Sequence, residues 1–313
     1  MARSGFTPAR ILVVGEALVD IVRRDGDDIV HPGGSPLNVA VGLQRLGVPA
    51  TLHSAFGADP NGVAIAQHLE ASDVAVTGST VSDRETSVAL ATLAPDGAAT
   101  YTFSIDWDPA PLDVPQGTFD GGHTGSIGAA LEPGASMVEA LLIRLRPTTT
   151  ISFDPNIRTQ LMGSPEEARA RVERFVALAD VVKASDEDIA WLYPDATVHD
   201  ILERWLELGP ALVVVTRGAH GADALAASGP AHVPAPPTEV ADTIGAGDSF
   251  MAGLLAALSD LKLLGGARRR DLHELHAADV GLVTRFAARC AAITVSRPGA
   301  DPPTREAVAE TYG

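Results

Sequence analysis

Asp242-Thr243-Ile244-Gly245-Ala246-Gly247-Asp248-Ser249-Phe250 decides how this chain is read. The stretch gathers small residues into a turn, sets an acid at its end and runs straight into an apolar segment at 251–258. Gly245, Ala246 and Gly247 carry almost no side chain, so their backbone N–H groups can face a ligand directly. The apolar segment reads as a helix, and a helix N-terminus offers unpaired N–H groups and positive dipole charge to an anion. The turn therefore suits a phosphoryl group, with Asp248 beside it as a proton acceptor. An acid that merely caps a helix after a glycine turn would read the same way locally.

Outward from this turn, two kinds of segment alternate. Short β-branched apolar runs end abruptly in polar or glycine residues: 11–14 leads into Gly15-Glu16, and 150–153 into Asp154-Pro155-Asn156. Likewise 181–182 leads into Lys183-Ala184-Ser185, and 212–215 into Thr216-Arg217-Gly218. Between them, apolar residues at helical spacing mark 37–46, 63–69, 136–145, 165–179 and 198–206. This alternation predicts an α/β fold with a mostly parallel central sheet flanked by helices on both faces. Such sheets bind ligands outside the carboxyl ends of their strands, where the polar clusters just named would stand. Further on, 291–296 reads as another strand, ahead of Arg297-Pro298-Gly299-Ala300. Two segments break the rhythm: 19–30 alternates around Asp25-Gly26, and 87–104 around Asp96-Gly97, the pattern of β-hairpins. Paired, they would form a small antiparallel lid over the strand ends, although two unrelated surface hairpins would read alike.

A chain of 313 residues can bury one large core, and 46% hydrophobic content with mixed charge is globular. A single domain over 1–313 is expected, with the lid at about 17–32 and 86–106. The net charge of −17 argues against nucleic acid or an anionic membrane as the main partner. It does not forbid a nucleotide, because a local nest of N–H groups and a metal can overrule the global field. The one cysteine, Cys290, rules out an internal disulfide framework. With no apolar run near membrane length and no signal core at the start, a soluble cytoplasmic protein is expected.

Gly33-Gly34-Ser35-Pro36-Leu37-Asn38 is the second informative stretch. Adjacent glycines allow close backbone approach, Pro36 suits a first helical turn, and Asn38 projects from that turn with a donor and an acceptor. Asp20 offers a carboxylate able to accept from two vicinal hydroxyls, although an acid at a lid hinge would look the same. Thr216 with Gly218 and Gly221 at a strand end suits a phosphate chain; a tight strand–turn–strand link would use the same residues. Arg158 has the planar fork that matches oxyanions. Asp154 and Asn156 could simply shape the turn. No Gly-x-x-x-x-Gly-Lys-Ser/Thr occurs, and no Gly-x-Gly-x-x-Gly follows the first strand, so a P-loop kinase is excluded and a nicotinamide dehydrogenase weakened.

The stretch 242–250 resembles the second signature of the ribokinase-like (PfkB) family of carbohydrate kinases, and 33–47 resembles its first. The resemblance implies a ribokinase-like fold, with Asp248 as catalytic base and Gly245, Ala246 and Gly247 as anion hole. It places Asp20, Gly33, Gly34, Asn38 and Arg158 on the sugar, and Lys183, Ser185, Thr216, Gly218 and Gly221 on the nucleotide. ATP and magnesium are implied. The family's Asn-x-x-Glu, tied to its magnesium–phosphate network, stands here as Ser185 and Asp188. A potassium-type ion is implied between Asp242 and the loop after 296, with backbone oxygens from Ile244, Thr294, Arg297 and Gly299. Pro303 stands where the family has a serine nearby. Gly-Gly-Ser-Pro-x-Asn, His123-Thr124-Gly125-Ser126 and Leu131-Glu132-Pro133-Gly134 resemble bacterial fructokinases. The implied activity is phosphorylation of a primary sugar hydroxyl, fructose first. A ketodeoxygluconate kinase, ribokinase or nucleoside kinase of the same fold, or a catalytically silent sugar- and nucleotide-binding regulator, are the alternatives. The lid is often a dimer contact in the family, which makes a homodimer an expectation too.

Overall fold

The computed structural model describes residues 8–24, 27–93 and 99–312. From its start the chain forms β1 (Ile11–Val14), β2 (Leu18–Arg24), β3 (Asp27–Gly33), α1 (Ser35–Arg45), β4 (Ala50–His53), β5 (Phe56–Gly57), α2 (Pro60–Ala71), β6 (Ala75–Val76), β7 (Val81–Ser82), β8 (Val88–Leu93) and β9 (Ala99–Ser104). Next come β10 (Gly121–Gly125), α3 (Gly134–Leu145), β11 (Thr150–Asp154), α4 (Pro165–Leu178), β12 (Val181–Ser185), α5 (Asp186–Leu192) and α6 (Val198–Glu207). The remainder is β13 (Leu212–Thr216), β14 (Ala222–Ala226), β15 (Gly229–Val233), α7 (Ala246–Asp260), α8 (Arg269–His273), α9 (Ala277–Val295) and α10 (Arg305–Tyr312).

Nine strands make one sheet in the order β15-β14-β13-β12-β11-β10-β1-β4-β6. Pairing is parallel from β13 to β6, and β14 and β15 return antiparallel at one edge. Alternate strand residues face opposite layers, as the two-residue period of a strand requires. Ile11, Val13, Val181, Leu212 and Val214 pack under α1, α7 and α9. Leu12, Val14, Phe153, Val182 and Val213 pack under α3, α4 and α6. After β1 the chain builds outward to β4 and β6, then restarts with β10 on the other side of β1. The switch point therefore lies between β1 and β10, where open α/β sheets leave a crevice.

β10, Gly121-Gly122-His123-Thr124-Gly125, is fully buried at the centre of the sheet and carries no strand signal in its sequence. Its glycines are explained by its neighbours: a Cβ on Gly121 would lie 3.1 Å from Ile11 Cγ1, and one on Gly122 3.2 Å from Ile151 Cδ1. The strand expected at 291–296 is instead the end of α9, where Thr294 Oγ1 donates to the Cys290 carbonyl one turn back (3.2 Å). The alanine-rich run from 287 to 292 keeps the helix going, because alanine has the highest helix propensity.

A second sheet has the order β3-β2-β8-β9. Its two hairpins, β2–β3 and β8–β9, are antiparallel, and their inner strands β2 and β8 meet in parallel. The turns Asp25-Gly26 and Asp96-Gly97 lie outside the described residues. Leu18 and Ala89 of this sheet pack on Ile127, which follows β10. Among the described residues no helix is long and apolar enough to cross a membrane.

Candidate active site

α7 begins at a backbone position that glycine alone fills easily. Gly245 has φ of +73°, and a Cβ there would lie 2.7 Å from Ala300 Cβ. No side chain caps this helix, so its first N–H groups are left without a side-chain acceptor. Asp248, in the first turn, is only 6% exposed. Its Oδ1 accepts from Ser35 Oγ at 2.6 Å, its Oδ2 from Asn38 Nδ2 at 2.8 Å, and Asn156 Nδ2 stands 3.4 Å from Oδ1. Ser35 and Asn38 are three apart on α1, hence on one helical face. The carboxylate is thus held from α1 and from the loop after β11.

Lys183 and Asp154 form a buried ion pair under the start of α7. Their strands are neighbours, and Lys183 Nζ lies 2.9 Å from Asp154 Oδ2. A Cβ on Gly247 would fall 2.8 Å from that Nζ, so the ammonium sits directly against the α7 turn. Burial pushes the Asp154 pKa up to about 6; Lys183 opposes this, while Asp188 and Asp248 add to it. For Lys183 burial works downward, but Asp154, then Asp188 and Asp248, outweigh it and hold the ammonium charged. Asp154 Oδ1 is buried without a protein partner.

Asp188, expected beside magnesium, is bound by a backbone N–H on each carboxylate oxygen. Oδ2 accepts from Ser185 N at 2.9 Å and Oδ1 from Ile157 N at 2.8 Å, while Ser185 Oγ accepts from Asp188 N at 3.0 Å. This is a capping box that starts α5 and tethers the 155–158 loop, and it also engages Ser185. At the end of β13, Thr216 Oγ1 donates to the Ala184 carbonyl at 3.3 Å. Gly218, with φ of +51°, has open space where a Cβ would go. Gly221 does not: a Cβ would lie 2.1 Å from the Val233 carbonyl oxygen, so the turn into β14 needs a glycine there.

Asp242 ties two loops together. Its carboxylate accepts from Ile244 N at 3.0 Å and Gly299 N at 2.9 Å, and these N–H groups, Ile244 first, hold its pKa below the ordinary value. The Thr294 carbonyl accepts from Arg297 N at 3.0 Å and that of Gly299 from Asp301 N at 2.9 Å. Among the described residues no three His, Cys, Asp or Glu side chains gather into a metal site.

Gly33 ends β3 against Asp20, and a Cβ there would lie 2.3 Å from Asp20 Oδ2. Asp20 is open to solvent on one side yet crowded enough for desolvation to raise its pKa, against Arg158 and His31. Gly34, with φ of +106°, passes so close to Glu16 that a Cβ would be 2.6 Å from its carbonyl oxygen. Arg158 Nη1 donates to Asn156 Oδ1 at 2.7 Å. Sequence reasoning missed Ser35 and the pairing of Asp154 with Lys183. Of these, Ser35 carried a usable signal, its spacing to Asn38 on a first helical turn.

The family model for pfkB family carbohydrate kinases matches residues 8–307. The chain belongs to that family. It is a sugar kinase, with ribokinase-like architecture. Fructokinase from Rhizobium leguminosarum bv. trifolii is 35% identical over 265 residues, covering 81% of each chain. A double-mutant fructokinase from Vibrio cholerae O395, solved with fructose, ADP and a potassium ion, superposes with a TM-score of 0.82 at 28% identity, over 98% of this chain and 99% of that one. Aminoimidazole riboside kinase from Salmonella enterica, solved with aminoimidazole riboside and an ATP analogue, gives 0.80 at 26% identity, over 96% and 98%.

Proposed function

We propose that this sugar kinase transfers the γ-phosphoryl group of ATP to a primary hydroxyl of a small sugar, fructose before others, with Asp248 as the base. The observation that carries this reading is the placement of Asp248. It is buried, held from two segments, and next to an uncapped helix N-terminus against which the Lys183 ammonium rests. Phosphoryl transfer passes through a loose transition state, so positioning and charge stabilisation do most of the work. Ser35 and Asn38 aim the carboxylate at the acceptor hydroxyl, whose proton Asp248 takes. The N–H groups of Gly245, Ala246 and Gly247, with Lys183, hold the oxyanions of the transferring group. Gly33, Gly34, Asp20 and Arg158 hold the sugar, and Thr216 and Gly218 the phosphate chain. The sheet formed by β2, β3, β8 and β9 acts as a lid that keeps water from competing as acceptor, within a single ribokinase-like unit.

Magnesium fits this site as an ion that arrives with the phosphates. Asp154 Oδ1 is a buried oxygen with no protein partner, and magnesium usually binds through one or two carboxylates plus phosphate oxygens. It would neutralise charge on the phosphates. A monovalent cation fits between the loops that Asp242 joins, because the carbonyls of Thr294 and Gly299 each keep a second lone pair. Ile244 and Arg297 would complete that set. The likeness to aminoimidazole riboside kinase keeps a riboside acceptor as a second reading. Exposed Ile29 and Val30, on the edge strand β3, favour a dimer formed through the lid.

The test is ADP release with ATP and magnesium over fructose, ribose, ketodeoxygluconate, aminoimidazole riboside and adenosine, with and without potassium. Acceptor-dependent release names the substrate. ATP binding without release on any acceptor would overturn the kinase assignment in favour of a regulator.

A further inference from the structure

Asp188 does more than start a helix. It stands in the first turn of α5, just past β12, and is buried. The capping box that opens α5 needs one of its carboxylate oxygens: Oδ2 accepts from Ser185 N, and Ser185 Oγ accepts in return from Asp188 N. Oδ1 serves no part of that helix. It accepts from Ile157 N at 2.8 Å, 31 positions earlier in the chain. Among the described residues this is the one hydrogen bond that holds the backbone of 155–158 from another segment. The sheet makes the contact possible, because β11 and β12 are parallel neighbours and the segments that follow them leave side by side.

The loop held in this way carries Asn156 and Arg158. Asn156 has φ of +38°, a left-handed conformation that a residue with a side chain keeps where its surroundings hold it. Its Nδ2 stands 3.4 Å from Asp248 Oδ1, and its Oδ1 accepts from Arg158 Nη1 at 2.7 Å. That Nη1 also donates to the Asn156 and Ile157 carbonyls, so the guanidinium is folded back onto the loop backbone. The Ile157 side chain packs against the core cluster that contains Ile189 and Leu192 of α5. From Asp188 to Asp248 every link is therefore a contact or a peptide bond: Asp188 to Ile157, Ile157 to Asn156, Asn156 to Asp248. At the other end of this line, β12 carries Lys183, whose ammonium rests against the α7 turn.

We propose that Asp188 is a positioning residue for the acceptor end of the site: through Ile157 N it fixes the loop that aims Asn156 and Arg158, and so joins the end of β12 to the residues that steady Asp248. This rests on the kinase reading above. Length is part of the device. Both N–H groups are met at ordinary hydrogen-bond distances, and one more methylene would carry the two oxygens past them.

The experiment compares wild type with Asp188→Ala, Asp188→Glu, Asn156→Gly and the double variant Asp188→Ala/Asn156→Gly. Glycine at 156 accepts the positive φ, so that change removes the side chain without straining the loop. Fructose binding without nucleotide is measured by calorimetry, with the other acceptors of the panel used where fructose does not bind. KM, kcat, magnesium dependence and melting are measured on the same preparations. Asp188→Ala should melt a few degrees lower and lose about 10²-fold in kcat/KM for the acceptor, the scale of a small misplacement in an active site. Asp188→Glu keeps the charge and should still lose about tenfold or more. The double variant should lie within about threefold of Asp188→Ala, because the two residues act in one line of contacts. Magnesium half-saturation should stay within about twofold throughout.

Additive losses in the double variant overturn the inference. So does a lower melting temperature in Asp188→Ala with acceptor binding and KM unchanged, which is the behaviour of a helix cap alone. An Asp188→Glu variant with wild-type KM, or a shift confined to magnesium dependence, overturns it in favour of a metal role. Should Asp188→Ala fail to fold, Asp188→Glu and Asn156→Gly decide the matter: a Glu variant that binds acceptor as wild type does refutes the tether. Acceptor binding in wild type without ADP release would overturn the kinase reading, while its loss in Asp188→Glu would still support the tether.

Discussion

Replacing Asp248 with asparagine separates chemistry from folding unusually well. Asn38 Nδ2 is a donor 2.8 Å from Asp248 Oδ2, so the introduced amide must place its oxygen there. Its NH2 then takes the position of Oδ1, 2.6 Å from Ser35 Oγ, and the serine hydroxyl can rotate to accept. The one contact that becomes donor against donor is that to Asn156 Nδ2, already long at 3.4 Å. The stability loss should therefore be about 1 kcal/mol or less, the net worth of one ordinary hydrogen bond. Turnover has no such refuge, since an amide cannot take the acceptor's proton. Loss of a positioned general base lowers kcat by about 10²- to 10⁴-fold. That range corresponds to about 3–5 kcal/mol of barrier. ADP release at saturating ATP and sugar, set beside thermal unfolding of the same preparation, measures both. A variant that melts within a few degrees of wild type and still turns over within about tenfold of it would refute the assignment of Asp248 as base.

Lys183→Met should lower kcat by about 10²-fold or more through loss of charge beside the transferring group. It should also destabilise by about 3 kcal/mol at alkaline pH, because Asp154 keeps its burial and loses its counter-ion. Urea unfolding should find a smaller loss under acid conditions, where Asp154 is protonated. In wild type, Glu16 and Asp154 both have pKa values raised by burial, to about 7 and about 6. Each binds its proton more tightly in the folded chain, so their contribution is full only below the ordinary carboxyl values of 4.5 and 3.8 and is lost as pH rises from there through about 7 and about 6. A melting temperature that climbs across that window would contradict this. Gly221→Ala should destabilise strongly through its clash with the Val233 carbonyl, while Gly218→Ala should fold with a loss of about 1 kcal/mol from its positive φ and raise the KM for ATP. Circular dichroism melts and ATP titrations distinguish the two, and equal behaviour would remove the contrast.

The parts of this molecule that were legible share one property: their signal is local. Residues 11–14 and 212–215 announce themselves as buried parallel strands by unbroken apolar, largely β-branched character, and both are strands. Asp248 and Asn38 stand out because small residues and a first helical turn can be read in a few consecutive positions. β10 could not be read, because its glycines answer to isoleucines on β1 and β11, far away in the chain. The Asp154–Lys183 pair depends on the register between β11 and β12, which no single segment contains. Glu16 looks like any polar residue after a strand until the fold closes over it. Asp188 was readable in another sense: Ser-x-x-Asp ahead of an apolar run is a capping-box spacing, and that local meaning is the one the structure uses. The end of α9 was misread because an alanine-rich run that precedes a loop has no strand or helix period of its own.

Asp248 is gripped by residues 210 and 213 positions earlier in the chain, and the glycine that starts its helix is pressed against Ala300. During synthesis the diglycine helix emerges first and the α7 turn far later. A nascent chain can therefore fold much of the parallel sheet before Asp248 has been made. The geometry that holds Asp248 is completed only when the two ends of the polypeptide have found each other. A partly made molecule would carry the diglycine turn without Asp248 held against the helix that follows it.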